Sequence, residues 1–132
     1  LEHTADLGLW VEAESPAGLM ESAAVALAEL MYTGPREGEI TWLEYAGEGS
    51  DRAELLVGLL SEVVYLADAE RRLVAACQVR EATAQRLLAR LGVVPLTAGH
   101  QAREPVKAVT YHRAQVRQEA PDHWRGEVYL DV

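Results

Sequence analysis

Alternation with a period of two marks both ends of the chain. Near the start, Leu7, Leu9, Val11 and Ala13 share one side of an extended segment, with Gly8, Trp10 and Glu12 on the other. At the far end, Trp124, Gly126, Val128, Leu130 and Val132 alternate with Arg125, Glu127, Tyr129 and Asp131. Each pattern predicts a half-buried strand. Between them the period changes twice. Ser15 precedes Pro16 and an apolar stripe of Leu19, Met20, Ala23, Leu27, Leu30 and Met31, which predicts a capped helix ending before the Gly34-Pro35 turn. After a second strand, in which Ile40, Trp42 and Ala46 alternate with Thr41, Leu43 and Tyr45, Gly47 to Ser50 reads as a loop. Asp51 then opens a longer helix with Glu54 three residues on, a variant capping box. Its buried face is Leu56, Leu59, Leu60, Val63, Leu66 and Ala67, and it ends near Ala69 to Arg71.

From Leu73 the period of two returns, with Leu73, Ala75, Cys77 and Val79 against Val74, Ala76, Gln78 and Arg80. Residues Glu81 to Leu91 have helical propensity, yet Gln85, Leu87, Ala89, Leu91 and Val93 alternate, and we read a strand. Pro95 to Glu104 is expected to be a loop with a short helical turn around His100. Val106, Ala108, Thr110, His112, Ala114 and Val116 are expected to line one face of a long strand, which Pro121-Asp122 turns back as a hairpin. The order β-α-β-α followed by a run of strands predicts an α+β fold of two layers, with two main helices and a mostly antiparallel sheet.

Composition narrows the function. A chain of 132 residues, 49% hydrophobic and 25% charged, is expected to be one domain, residues 1–132, with a sizeable core. No apolar run approaches the roughly 20 residues that cross a bilayer, and no basic-then-apolar leader opens the sequence. Cys77 stands alone, which excludes an internal disulfide and fits a reducing, cytoplasmic compartment. The net charge of −9 argues against direct nucleic-acid binding, because phosphate contacts need Lys and Arg. An acidic surface suits a basic protein partner or bound cations instead.

Few residues offer chemistry. Asp6 is in phase with the polar face of the first strand and Asp131 with that of the last, one residue before Val132 and the α-carboxylate. If the two strands are neighbours, these oxygens converge into a donor set for Ca²⁺, Mg²⁺ or Mn²⁺. Spacing alone favours the plainer reading, in which Asp6 caps a turn and Asp131 is a solvated strand residue. His3, His100, His112 and His123 show neither HxH nor HExxH spacing, which argues against a zinc site. Cys77 lies mid-strand among apolar residues and reads as a structural thiol, and Lys107 as a surface lysine. No phosphate loop, nucleophile elbow or dinucleotide fingerprint is present.

Three segments point further. His3-Thr4-Ala5-Asp6-Leu7-Gly8, the helical run from Glu54-Leu55-Leu56-Val57 through Glu62-Val63-Val64-Tyr65-Leu66-Ala67-Asp68, and Val106-Lys107-Ala108-Val109-Thr110-Tyr111-His112 with the final Leu130-Asp131-Val132 together resemble the archease family, in order and over essentially the whole chain. The resemblance implies a protein cofactor of an RtcB-type RNA ligase rather than an enzyme. Archeases promote guanylylation of the ligase histidine and multiple turnover in tRNA splicing and RNA repair, and they broaden the nucleotide triphosphates accepted. It also implies a metal site at Asp6, Asp131 and Val132, with Val132 ligating through a main-chain or terminal oxygen. The expected ion is a divalent cation, Ca²⁺ foremost, with Mg²⁺ or Mn²⁺ as functional alternatives.

Two departures stand beside the resemblance: Leu1 is not read as a native start, and the segment from Thr83 to His100 is less family-like. Two other functions remain compatible with the sequence. One is a general chaperone or adaptor for tRNA-modifying enzymes, binding through an apolar surface. The other is a metal-dependent phosphoesterase, for which His3 and His112 are the only general-base candidates.

Overall fold

The computed structural model describes the backbone of residues 6–132 and the side chains of residues 7–132. The expected His3-Thr4-Ala5 turn lies outside the described residues. The elements are β1 (Asp6–Ala13), α1 (Pro16–Met31), β2 (Tyr32–Thr33), β3 (Thr41–Glu48), α2 (Arg52–Asp68), β4 (Arg72–Ala82), β5 (Arg86–Pro95), β6 (Gln101–Ala102), β7 (Ala108–Ala120) and β8 (His123–Asp131). The fold is two-layer α+β, with two main helices and an antiparallel sheet arrangement, as the periodicities predict. The strands divide into two three-stranded sheets, ordered β1-β8-β7 and β3-β5-β4, and a two-stranded pair β2-β6.

Both helices start where the sequence places them. Ser15 Oγ accepts from Gly18 N at 3.0 Å, with Pro16 following the cap. Asp51 Oδ1 accepts from Glu54 N at 2.8 Å. The capping box closes one residue early: Glu54 Oε1 accepts from Ser50 N at 2.6 Å rather than from the cap residue itself. At the end of α1 the Arg36 guanidinium donates to the Ala28 and Tyr32 carbonyls at 3.1 and 2.7 Å, adding to the bond that Ala28 O already accepts from the Tyr32 N–H and tying the C-cap in place.

The core lies between the helices and the inner faces of the sheets. Leu19, Leu27, Leu59, Leu60, Val74, Leu87 and Leu130 are fully buried. Gly126 sits where both helices meet the sheet: a Cβ there would come within 3.1 Å of Leu19 Cδ2 and 3.2 Å of Leu56 Cδ2. In the second sheet, Leu87, Ala89, Leu91 and Val93 of the central strand β5 are buried, so the Glu81 to Leu91 region is extended rather than helical, as read. It is not one strand, however: β4 ends at Ala82, residues 83–85 turn, and β5 begins at Arg86, which leaves Gln85 in the turn. Alternation with a buried face overrode helix propensity. Glu21 of α1 accepts from Val79 N at 2.8 Å, supplying an acceptor beside a β4 bulge.

Three expectations need correction. The stretch around His100 is a single hydrogen-bonded turn, His100 N donating to the Thr97 carbonyl at 3.0 Å, that does not extend into a helix; His100 Nδ1 accepts from Thr97 N at 3.0 Å and Nε2 lies 2.7 Å from the Pro35 carbonyl. Beyond it β6 pairs with β2, a ladder too short to leave a periodic signal. The long strand is not uniform either. Thr110 faces Tyr129 and Gln115 faces Glu127, five steps along β7 against two along β8. The three extra residues reset the phase, so Val109 is inward before the bulge and Ala114 and Val116 after it. Arg113 inside the bulge has φ 64 and stacks over the Tyr129 ring at 4.5 Å.

Candidate functional site

Cross-strand register determines which residues of the solvent-facing side meet. β1 runs antiparallel to β8 with Asp6 opposite Asp131, Gly8 opposite Tyr129, Trp10 opposite Glu127 and Glu12 opposite Arg125. Directly opposed residues share a face, so the two aspartates occupy the same face at one end of the ladder. β8 is the central strand, and its end is tied on the other side too: Ala108 faces Asp131, and Lys107 N donates to the Asp131 carbonyl at 2.7 Å. Val132 is half-buried and packs against the core cluster.

The Asp131 carboxylate is the informative group. Its Oδ1 is buried and has no hydrogen-bond partner among the described residues. A buried carboxylate oxygen left without a donor is costly. A cation would satisfy it, and the donors that register and sequence bring to this end are all oxygens, which suits a hard divalent ion with water completing its shell. The donor set fits Ca²⁺, Mg²⁺ or Mn²⁺ and offers nothing to select a softer metal.

The remaining candidates fall elsewhere. Cys77 is partly buried on β4, and burial, with Glu21 nearby, pushes its thiol up to about 12, which fits a structural role. His112 is exposed in the β7 bulge, where its backbone N donates to Thr110 Oγ1 at 3.0 Å. His100 is held by hydrogen bonds at both ring nitrogens. Tyr111, also in the bulge, donates to Asp51 Oδ2 at 2.8 Å, linking it to the α2 cap. Its bond and the Glu54 N–H lower the Asp51 carboxyl, the backbone donor having the larger effect.

One grouping escaped the sequence reading. Glu12, Glu119 and His123, at the opposite end of the same outer face, bring potential ligand atoms within 4.8 Å of one another. Spacing rules missed it because Glu12 is 111 positions from His123. The local signal was Glu119 and His123 flanking the Pro121-Asp122 turn.

Two helices against antiparallel sheets, with a carboxylate-bearing end of the central strand, define a small α+β protein of the candidate cation-binding kind. The whole chain, residues 1–132, matches the model of the Archease protein family. It is 31% identical to protein archease of Methanopyrus kandleri, with 100% of this chain and 96% of that relative covered. To protein archease of Pyrococcus furiosus it is 26% identical, with 99% and 95% covered. The solution structure of Methanobacterium thermoautotrophicum protein 1598 superposes with a TM-score of 0.68 at 25% identity, over 100% of this chain and 96% of that one. The crystal structure of an archease from Thermotoga maritima gives 0.65 at 16% identity over 100% and 94%, a likeness of fold alone. The chain belongs to the archease family. No helix among the described residues is long and apolar enough to cross a membrane.

Proposed function

We propose that this protein is an archease-type activator of an RtcB-type RNA ligase, working through a divalent cation held by Asp6, Asp131 and a main-chain or terminal oxygen of Val132. In this reading residues 1–132 form a single archease-like domain, and the protein serves as a cofactor of the ligase rather than as an enzyme. Family membership over the whole chain supports a non-catalytic cofactor role. The observation that carries the site is the buried Asp131 Oδ1, without a hydrogen-bond partner among the described residues, on a residue in register with Asp6.

Each residue has a distinct part. Asp131 is positioned by ladders on both sides, so its carboxylate presents at a fixed place, with little ordering left to do on binding. Asp6 contributes a second negative charge from the neighbouring strand. Val132 contributes through its main chain, its side chain being packed on the core. A bound divalent ion supplies neutralisation of triphosphate charge during nucleotidyl transfer to the ligase histidine. The carboxylate end of the sheet orients toward the ligase cleft, and the net charge of −9 favours approach to a basic surface rather than to RNA.

The test is guanylylation of a cognate RtcB-type ligase with GTP and Mn²⁺, measured alone, with the wild type and with Asp131→Ala. Stimulation by the wild type and none beyond background with the variant is the expected result. Equal rates in all three samples would discard the ligase reading.

A further inference from the structure

The outer face of β1-β8-β7 has two ends, and the one remote from Asp131 carries a different donor set. Six residues along β1 separate Glu12 from Asp6, a distance of about 20 Å at the strand rise. There His123 Nε2 lies 2.5 Å from Glu12 Oε1 and His123 Nδ1 lies 3.9 Å from Glu119 Oε1. We propose that Glu12, Glu119 and His123 form a second cation site in this protein, one that takes Zn²⁺.

Three features support this assignment. First, the residues come from three adjacent strands, β1, β8 and β7, with Glu12 and His123 held by the ladders. Ala120 pairs with His123 across the hairpin, and Gln118 Nε2 donates to the Pro121 carbonyl at 3.2 Å, holding the turn. Second, Glu119 is the extra residue of a bulge. Gln118 faces Trp124 and Ala120 faces His123, two steps against one. Such bulges re-aim a side chain, and here the bulged residue is one of the three potential ligands. Third, a cleft of about 570 Å³ opens beside the group, lined by Glu12, Glu14, Glu21, Asp122 and His123 with no lysine or arginine among its lining residues. Its carboxylates attract cations, against the positive charge of Arg125 opposite Glu12, and its volume leaves room for water in the remaining positions.

The chemistry selects the ion. An imidazole nitrogen with two carboxylates is a borderline-soft set that favours Zn²⁺ over Ca²⁺ or Mg²⁺, the reverse of the all-oxygen end. Around a tetrahedral ion with bonds near 2.1 Å, ligand atoms stand roughly 3.4 Å apart. The candidate ligand atoms, one from each residue, lie within 4.8 Å of one another, so an ion requires the two carboxylates to gather about one imidazole nitrogen. The half-exposed side chains, 43% for His123, 58% for Glu12 and 37% for Glu119, allow such movement.

The test is Zn²⁺ titration calorimetry on the full chain, with Co²⁺ broadening of histidine side-chain NMR signals as a second readout. The proposal expects a Zn²⁺ site that persists in Asp131→Asn and weakens on the order of tenfold or more in His123→Gln and Glu119→Gln, with Co²⁺ broadening His123 selectively. Retention of the Asp131 site in His123→Gln, read by Ca²⁺ binding, keeps this result separate from the ligase reading. Zn²⁺ binding unchanged by His123→Gln, or lost in Asp131→Asn, would overturn the proposal and leave the group a hydrogen-bonded His–Glu network.

Discussion

Asp6 and Asp131 are direct cross-strand partners at the end of the β1–β8 ladder. Like charges directly opposite one another across a ladder are destabilising. Two effects of opposite sign follow for Asp131→Asn. Without divalent ions the variant should be as stable as the wild type or slightly more so, because one charge is gone. With Ca²⁺ at about a hundred times its dissociation constant, the wild type should gain about 2.7 kcal/mol by mass action and the variant almost nothing. Thermal melts with and without Ca²⁺ read both effects. A Tm that rises equally in both proteins would remove Asp131 from the ligand set.

Gly126 is where two helices meet the sheet. Its replacement by alanine gains about 0.4–1 kcal/mol from a less flexible unfolded chain. Against that, the new methyl group presses on Leu19 and Leu56, both almost completely buried and so with little freedom to yield. Overpacking of this kind costs about 1–3 kcal/mol, so the net change should be destabilising. Urea denaturation of Gly126→Ala should show a lower midpoint with an unchanged slope.

The Asp51 carboxylate serves two masters, the α2 N-terminus and Tyr111 of the β7 bulge. Asp51→Ala should cost about 1 kcal/mol for the cap. Part of the loss should be shared with Tyr111→Phe, and a double-mutant cycle measures that shared part. The pH dependence has a definite sign. The folded-state carboxyl lies below its ordinary value of 3.8, so its stabilisation is complete above that value and declines as pH falls through the lowered one. A wild-type protein whose stability between pH 5 and pH 2 tracks that of Asp51→Ala would contradict this.

Cys77 should resist alkylation. With its thiol pushed up to about 12 by burial and by Glu21, almost no thiolate exists at pH 8. Iodoacetamide labelling followed by mass spectrometry should proceed only after denaturant is added. Rapid labelling of the native protein would mean that β4 opens locally.

The parts of the fold legible in the sequence were those with sustained periodicity. Ser15 with Pro16 and Asp51 with Glu54 announced both helices, and the alternation from Trp124 to Val132 announced β8. Long-range pairing was less visible. Two-residue strands such as Tyr32–Thr33 carry no period, and the bulge between Thr110 and Gln115 shifts phase inside what reads as one alternating run. The same limit applied to the sites. Asp6 and Asp131 stood out through strand phase and family resemblance, whereas Glu12, Glu119 and His123 meet only once three strands are aligned.

The central place of β8 has a consequence for biosynthesis. Leu7 pairs with Leu130, and among the described residues β1 has no other strand beside it in its sheet. During translation β1 emerges first of the described elements and waits, unpaired, until β8 has cleared the ribosome and slots between it and β7. Helices α1 and α2 can form meanwhile from local contacts, but the β1-β8-β7 sheet closes only once β8 is available. Folding of this topology is therefore slowed by the cost of joining distant segments. A nascent chain stalled short of Val128 would expose the apolar edge of Leu7, Leu9 and Val11 to whatever surface it met first.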